Sequence, residues 1–146
     1  MENCTFYSSY YANTFSGANI LVQNSIFVSA NVTGYNNTVF NNCLFDGVPS
    51  PGIVGSNNIL SVPQNNIFSG LPTQGTLSDD GRWALKAGSP ALAAGVAGID
   101  CGAFGGVNPY KLSGIPAIPA FYKLTAPSTS ASSNPYTLTF SVRANN

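Results

Sequence analysis

The chain has 146 residues, of which 44% are hydrophobic and only 7% are charged, with five basic residues, five acidic residues and no histidine. A net charge of zero and the lack of a basic cluster argue against a nucleic-acid partner, because phosphate contacts need Lys and Arg. No apolar run approaches the roughly 20 residues of a membrane span, and the N-terminus lacks the basic and apolar regions of a signal peptide.

A short motif of Asn, a variable residue, a small or aliphatic residue and Phe recurs in the first half of the chain. The copies begin at Asn3, Asn24, Asn42 and Asn65 and end at Phe6, Phe27, Phe45 and Phe68, with start-to-start spacings of 21, 18 and 23 residues. Repeats of this length are supersecondary units that bury their apolar face only by stacking. The runs are rich in β-branched and aromatic residues without helical spacing, so they are predicted to be short strands.

These features predict a parallel β-solenoid of about three to five coils, each with two short strands separated by an Asn corner. Stacked coils lie about 4.8 Å apart, so equivalent residues form ladders. The Phe residues, with Phe27, Phe45 and Phe68 in one row, are predicted to line the interior. The Asn residues are predicted to form a structural corner ladder, because Asn tolerates left-handed backbone and its amide bonds neighbouring groups. An ordinary β-sandwich with short strands is the alternative.

The three cysteines are predicted to be small buried hydrophobic residues. Cys4 and Cys43 share a repeat position, but Ser25 occupies it in the copy between them. Two coil steps separate them by about 9–10 Å, whereas bridged Cα atoms lie within about 7 Å. Cys101 lies in a different segment. No pair has ligand spacing and histidine is absent, so no metal and no cofactor are predicted.

After Gly70 the repeat fades, and Asp79-Asp80-Gly81 predicts a turn that enters one more strand at residues 82–85. Residues 85–91 read Leu-x-x-Gly-Ser-Pro-Ala and residues 100–103 read Asp-x-Gly-Ala. The segments at residues 85–95 and 100–104, which contain these two patterns, resemble the terminal motif of right-handed parallel β-helix repeat proteins of bacteria, which are pectate-lyase-like. The resemblance implies an all-β, right-handed parallel β-helix whose coils and terminal cap occupy residues 1–106. It also implies a secreted or cell-surface parent protein, and it places the motif at the far end of the stack.

No catalytic residue is predicted in this chain. Ser89 is interpreted as the cap of a turn at Pro90, and Asp100 as an acceptor for backbone N–H groups, since Ser-His-Asp chemistry needs a base that the chain lacks. Two carboxylates for glycoside hydrolysis must converge about 5–10 Å apart, which the adjacent Asp79 and Asp80 do poorly.

Exposed tyrosines give the functional hypothesis. A tyrosine offers a flat apolar body with a polar tip, which suits stacking on sugar rings. The candidate glycan-binding residues are Tyr7, Tyr10, Tyr11 and Tyr35. Alternatively, some of these side chains belong to the core or cover the open end of the first coil.

The first hypothesis is a non-catalytic secreted or cell-surface module that binds glycan or protein, or serves as a stalk. The alternative is the C-terminal fragment of a polysaccharide lyase or glycoside hydrolase whose active coils are missing, because the chain begins within a coil. An open first coil also predicts self-association through its strand edge.

Residues 107–146 are predicted to form a Pro-rich linker and a hairpin-like extension that packs on the solenoid. A Ser, Thr and Ala-rich loop at residues 126–134 separates strands at residues 121–124 and 136–143. Tyr136, Leu138, Phe140 and Val142 alternate with polar residues, which predicts that one face of the second strand is buried.

Overall fold

The computed structural model describes residues 1–8, 14–15, 17–32, 37–49, 52–71, 73–112, 119–126 and 137–143. The chain divides into two compact units, residues 1–110 and residues 111–146. Within the described ranges the fold is all-β, as predicted, with short strands, three 3-10 helices and no α-helix. None of the helices in these ranges is long and apolar enough to span a membrane. The strands are β1 (Thr5–Tyr7), β2 (Thr14–Phe15), β3 (Leu21–Gln23), β4 (Ile26–Val28), β5 (Asn31–Val32), β6 (Val39–Asn41), β7 (Leu44–Phe45), β8 (Ala120–Thr125) and β9 (Thr139–Arg143).

In the first unit the strands pair in parallel and form three small sheets. The largest has the order β1-β4-β7, and the others pair β2 with β5 and β3 with β6. The register aligns Phe6 with Phe27 and Phe27 with Phe45, so the first three copies of the Asn-x-x-Phe motif lie side by side.

The aligned phenylalanines form a row of stacked rings, which we call the Phe ladder. The rings of Phe6 and Phe27 are 4.7 Å apart and 9° from parallel, and those of Phe27 and Phe45 are 4.9 Å apart and 8° from parallel. Phe15 and Phe40 pack against these rings edge-on. A continuous aromatic cluster therefore fills the space between the parallel sheets.

The prediction that Asn65 and Phe68 continue the two ladders is wrong. Asn65 lies in the 3-10 helix Gln64–Asn66, which turns the chain before Phe68. Phe68 packs instead against Trp83, with ring centres 5.4 Å apart, and forms an antiparallel bridge with Leu85.

The segment that pairs with β7 on its other side is residues 57–60, Asn-Asn-Ile-Leu. Ile59 forms a parallel bridge with Leu44, and the Phe45 amide donates to the Ile59 carbonyl at 2.8 Å. Asn57 has a left-handed φ of 56°, close to the φ of 54° at Asn42. The fourth copy is therefore Asn57–Leu60, with Leu60 in the place of a phenylalanine.

The corner asparagines bind the chain's terminal segment, which we define as residues 89–106. Asn3 and Asn24 have φ values of 49° and 50°, a conformation that asparagine adopts more readily than most residues. The Asn3 amide donates to the Asp100 carbonyl at 3.1 Å. The Asn24 amide oxygen accepts from the Val96 N–H at 2.9 Å. The Asn42 amide donates to the Ala94 carbonyl at 2.9 Å. The corner ladder thus holds the terminal segment along three successive repeats.

This placement corrects the expectation that the terminal motif closes the far end of the stack. All three residues of β4 are buried, Phe27 in the aromatic cluster and Ile26 and Val28 in a second cluster. That second cluster also contains Ala91 and Cys101 of the terminal segment. The terminal segment therefore covers the outer face of the β1-β4-β7 sheet and reaches back to the first repeat.

The two polar residues of the terminal motif make local backbone contacts. The Ser89 hydroxyl accepts from the Ala91 N–H at 3.3 Å, and the Asp100 carboxylate accepts from the Ala93 N–H at 2.8 Å. Both side chains thus satisfy turn N–H groups, which is a structural role.

The strand predicted at residues 82–85 is instead the 3-10 helix Gly81–Trp83, followed by a single bridge residue, Leu85. The Asp80 carboxylate accepts from the Gly81 N–H at 3.0 Å and caps the helix at its N-terminus. This local capping bond favours a tight turn over an extended strand.

The second unit contains the antiparallel pair β8–β9, whose Phe121 and Phe140 rings are 5.4 Å apart. Leu138, Phe140 and Val142 are 52%, 59% and 44% exposed, so the predicted buried face is wrong for these residues. A two-stranded hairpin has no further layer of its own to cover a face. Tyr136 lies outside the described residues.

Candidate functional site

A cleft of about 390 Å³ lies in the first unit and is lined mainly by aromatic side chains. We call it the aromatic cleft and define it by Tyr7, Asp80, Trp83, Phe104 and Tyr110. Its volume lies within the range of about 300–1,000 Å³ that is common for small-molecule sites.

One wall of the aromatic cleft is formed by Tyr7 and Trp83. Tyr7 is the last residue of β1, where strand alternation directs it away from the Phe ladder that holds Phe6. Trp83 ends the 3-10 helix, and its ring centre lies 4.5 Å from that of Tyr7. The packing of Trp83 on Phe68 ties this wall to the hydrophobic core.

A second wall is formed by Phe104 and Tyr110, whose rings meet edge to face at 5.4 Å and 80°. The Tyr110 N–H donates to the Ala103 carbonyl at 2.7 Å, which fixes the backbone beside Phe104. The Tyr110 hydroxyl donates to the Asp80 carboxylate at 2.9 Å. Asp80 therefore links the two walls through its bonds to Tyr110 and to the 3-10 helix.

Arg82 supports the first wall without lining the cleft. Its guanidinium carbon lies 4.5 Å from the Trp83 ring centre and 5.8 Å from that of Tyr7, within cation–π distance of both. One terminal nitrogen donates to the Gln74 side-chain oxygen at 3.2 Å. The guanidinium is thus placed to hold the two rings in their orientation.

The aromatic cleft offers flat apolar faces, two phenol hydroxyls and one carboxylate. Aromatic faces bind the apolar face of a ligand, while the few polar groups set its orientation. The arrangement suits a ring-shaped ligand with an apolar face and hydrogen-bond donors at its edge.

Of the four candidate tyrosines, Tyr7 lies in this cleft, whereas Tyr10, Tyr11 and Tyr35 lie outside the described residues. Sequence reasoning missed the rest of the lining, since Asp80 was interpreted as a turn and Phe104 as part of the terminal motif. Asp79 is not part of the cleft lining, because its carboxylate accepts from the Gln74 amide at 3.0 Å on the exposed side of the turn.

The cysteines occupy two kinds of environment. Cys43 and Cys101 are each 1% exposed, and all three cysteines are free thiols. Burial raises the pKa of Cys43 to about 11. Burial, with further contributions from Cys43 and Asp100, raises the pKa of Cys101 to about 12. Cys4 is only partly buried. The described ranges contain no group of three His, Cys, Asp or Glu residues placed to hold a metal ion.

These pKa values predict selective thiol labelling. At pH 8, Cys43 and Cys101 remain protonated and shielded, so Cys4 is expected to react with iodoacetamide much faster than either, and all three are expected to react in denaturant. Mass spectrometry of the labelled peptides measures this, and fast native labelling of Cys101 would contradict it.

Because burial raises the folded-state pKa values, the unfolded thiols lose protons first, and the free energy of unfolding is expected to fall as the pH rises above about 9.

Comparison of this chain with protein-family models, with curated proteins and with solved structures gave no match.

Proposed function

We propose that this chain folds as part of a right-handed parallel β-helix. We also propose that it acts as a non-catalytic, secreted or cell-surface module that binds a glycan. The observation that carries the binding proposal is the aromatic cleft, whose lining combines Tyr7, Trp83, Phe104 and Tyr110 with the Asp80 side chain.

The β-helix proposal is supported by the parallel register of the first unit. Residues 21 and 18 positions apart pair side by side, as Phe6 with Phe27 and Phe27 with Phe45. Their ring separations of 4.7 Å and 4.9 Å match the spacing of about 4.8 Å between neighbouring strands. A right-handed path is favoured because crossovers between parallel strands almost always have that hand.

The glycan proposal is supported by the chemistry of the cleft walls. A sugar ring has a C–H face that packs on an aromatic ring and hydroxyl groups that donate to a carboxylate. Tyr7 and Trp83 supply the first kind of surface, and Asp80 supplies the second. Its hydrogen bond from the Tyr110 hydroxyl holds the carboxylate at the cleft.

A binding role is favoured over catalysis because the aromatic cleft has a single carboxylate in its lining, within the part of the chain that the structure describes. Glycoside hydrolysis needs two opposed carboxyl groups, about 5–10 Å apart. Asp79 bonds Gln74, and the sequence has no histidine to act as a base.

Calorimetric titration with a panel of oligosaccharides tests the proposal. Trp83→Ala is expected to weaken the binding of an accepted glycan by about tenfold to a hundredfold, because it removes one stacking wall. Leu21→Ala serves as a control, since Leu21 is 48% exposed and lies outside the cleft lining. Assays for reducing ends and unsaturated products are expected to stay at background.

Unchanged affinity in Trp83→Ala would contradict the assignment of the site. Reproducible turnover that Asp79→Ala or Asp80→Ala abolishes would instead support a fragment of a polysaccharide lyase or glycoside hydrolase.

A further inference from the structure

A second cavity, of about 290 Å³, lies in the first unit beside the Asn3 corner. We call it the corner cavity and define it by Glu2, Asn3, Ile99, Val107 and Asn108. Its lining combines one carboxylate and two amide side chains with two aliphatic side chains. Carboxylates and amides bind hydroxyl groups, and aliphatic surface packs against C–H groups. The corner cavity therefore offers the two kinds of contact that a sugar ring can make.

Two polar side chains of the corner cavity are held in place by hydrogen bonds. The Asn3 amide donates to the Asp100 carbonyl at 3.1 Å, and the Asn24 amide donates to the Glu2 carboxylate at 3.3 Å. A carboxylate has about four acceptor positions, so the bond from Asn24 leaves capacity for sugar hydroxyls. Groups that are already positioned lose little conformational freedom when a ligand binds.

The corner cavity adjoins the aromatic cleft along two stretches of chain. Phe104 lines the aromatic cleft, and Gly105, the next residue, lines the corner cavity. Near the N-terminus, Thr5 lines the cleft and Asn3 lines the corner cavity. Neighbouring Cα atoms are about 3.8 Å apart, so lining residues of the two sites lie within about 8 Å of each other. An oligosaccharide of a few units can span that distance.

From this arrangement we infer that the corner cavity is a second sugar subsite and that the first unit binds an oligosaccharide across both cavities. The inference rests on the proposed glycan-binding function. One sugar stacks in the aromatic cleft, and another unit of the same glycan places its hydroxyls on Glu2 and Asn108. Once the first sugar is bound, the second contact is intramolecular, so it adds affinity without a second loss of translational freedom.

A graded series of ligands tests the subsite. The series runs from the monosaccharide to the hexasaccharide of the glycan that binds best in the panel, for example cello- or manno-oligosaccharides. Calorimetry is expected to show an affinity that rises about tenfold or more up to the length that fills both cavities and then levels off. In NMR spectra the monosaccharide is expected to shift the Trp83 indole signal, and the longer glycans are expected to shift the backbone signals of Gly106 and Asn108 as well.

Variants of the corner cavity separate the two subsites. Asn108→Ala removes an exposed amide from the lining, and Glu2→Gln removes the charge but keeps an acceptor for Asn24. Each is expected to weaken binding of the tetrasaccharide by about threefold to tenfold and to leave that of the monosaccharide unchanged. Trp83→Ala is expected to weaken both. Asn66→Ala is the matched control, because Asn66 is an exposed asparagine outside both linings, and it is expected to change neither.

Equal affinity for every length would overturn the subsite and leave glycan binding in the aromatic cleft intact. The same holds if Asn108→Ala and Glu2→Gln leave the tetrasaccharide affinity unchanged, or if they weaken the monosaccharide equally. Absence of binding by every glycan would overturn the proposed function itself.

Discussion

Replacing Phe27 with alanine is expected to lower the free energy of unfolding by about 3–5 kcal/mol. Phe27 is 1% exposed and is the middle ring of the Phe ladder, stacked on Phe6 on one side and on Phe45 on the other. Its removal takes one side of the packing from both neighbouring rings. The cavity also opens beside Phe15 and Phe40, which meet Phe27 edge-on.

Urea denaturation monitored by circular dichroism measures this loss. Leu21→Ala in β3 is the control, because a side chain that is 48% exposed leaves no cavity, and its effect is expected to stay within about 0.5 kcal/mol. A loss in Phe27→Ala below about 1.5 kcal/mol would show that Phe27 lacks the tightly packed surroundings of a core residue.

Replacing Asn24 with alanine is expected to cost about 2–4 kcal/mol through two separate effects. Asn24 is fully buried, and its side chain accepts from the Val96 N–H at 2.9 Å and donates to the Glu2 carboxylate at 3.3 Å. Alanine leaves the Val96 N–H without this partner and must also adopt the left-handed φ of 50°.

Two further variants separate these effects. Asn24→Gly removes the side-chain bonds but relieves the backbone strain, so it is expected to cost less than Asn24→Ala. Asn19→Ala introduces the same kind of strain, at a φ of 59°, and removes only an exposed hydrogen bond from the Asn37 amide at 3.2 Å, so it is expected to cost about 1 kcal/mol. If Asn24→Ala were no more harmful than Asn19→Ala, the bond to the terminal segment would contribute nothing to stability.

The first three repeats were predictable because each carries the same residue types at the same positions. Asn3, Asn24 and Asn42 recur where the chain turns, and the following Phe recurs where it enters the interior. The fourth repeat was missed because Leu60 replaces phenylalanine at the end of its motif. The unrelated residues 65–68 imitate the motif, but Asn65 and Asn66 lie in a 3-10 helix.

The sequence contains a pattern that indicates that both faces of the β1-β4-β7 sheet are covered, but the prediction of the fold did not use it. Residues 26–28, Ile-Phe-Val, are a continuous apolar run, which is typical of a strand buried on both faces. The segment that covers the outer face could not be located from the sequence, because its contacts with Ile26 and Val28 join residues more than 60 positions apart.

The aromatic cleft was only partly predictable. Tyr7 was identified because tyrosines are concentrated near the N-terminus, but its partners come from two later segments that have no repeat. Asp80 and Trp83 sit on a capped 3-10 turn, and Tyr110 reaches Asp80 across 30 residues. Such a site is defined by tertiary structure, so no local spacing in the sequence reveals it.

The indole N–H signal of Trp83 gives the most direct test of glycan binding in the aromatic cleft. The sequence contains one tryptophan, so this signal is unambiguous in a proton–nitrogen NMR spectrum. Titration with a neutral oligosaccharide is expected to shift it in a saturable manner, together with the backbone signals of Tyr7, Phe104 and Tyr110. A saturating glycan that shifts signals elsewhere in the chain while these four residues stay unchanged would contradict the assignment of the cleft as the binding site.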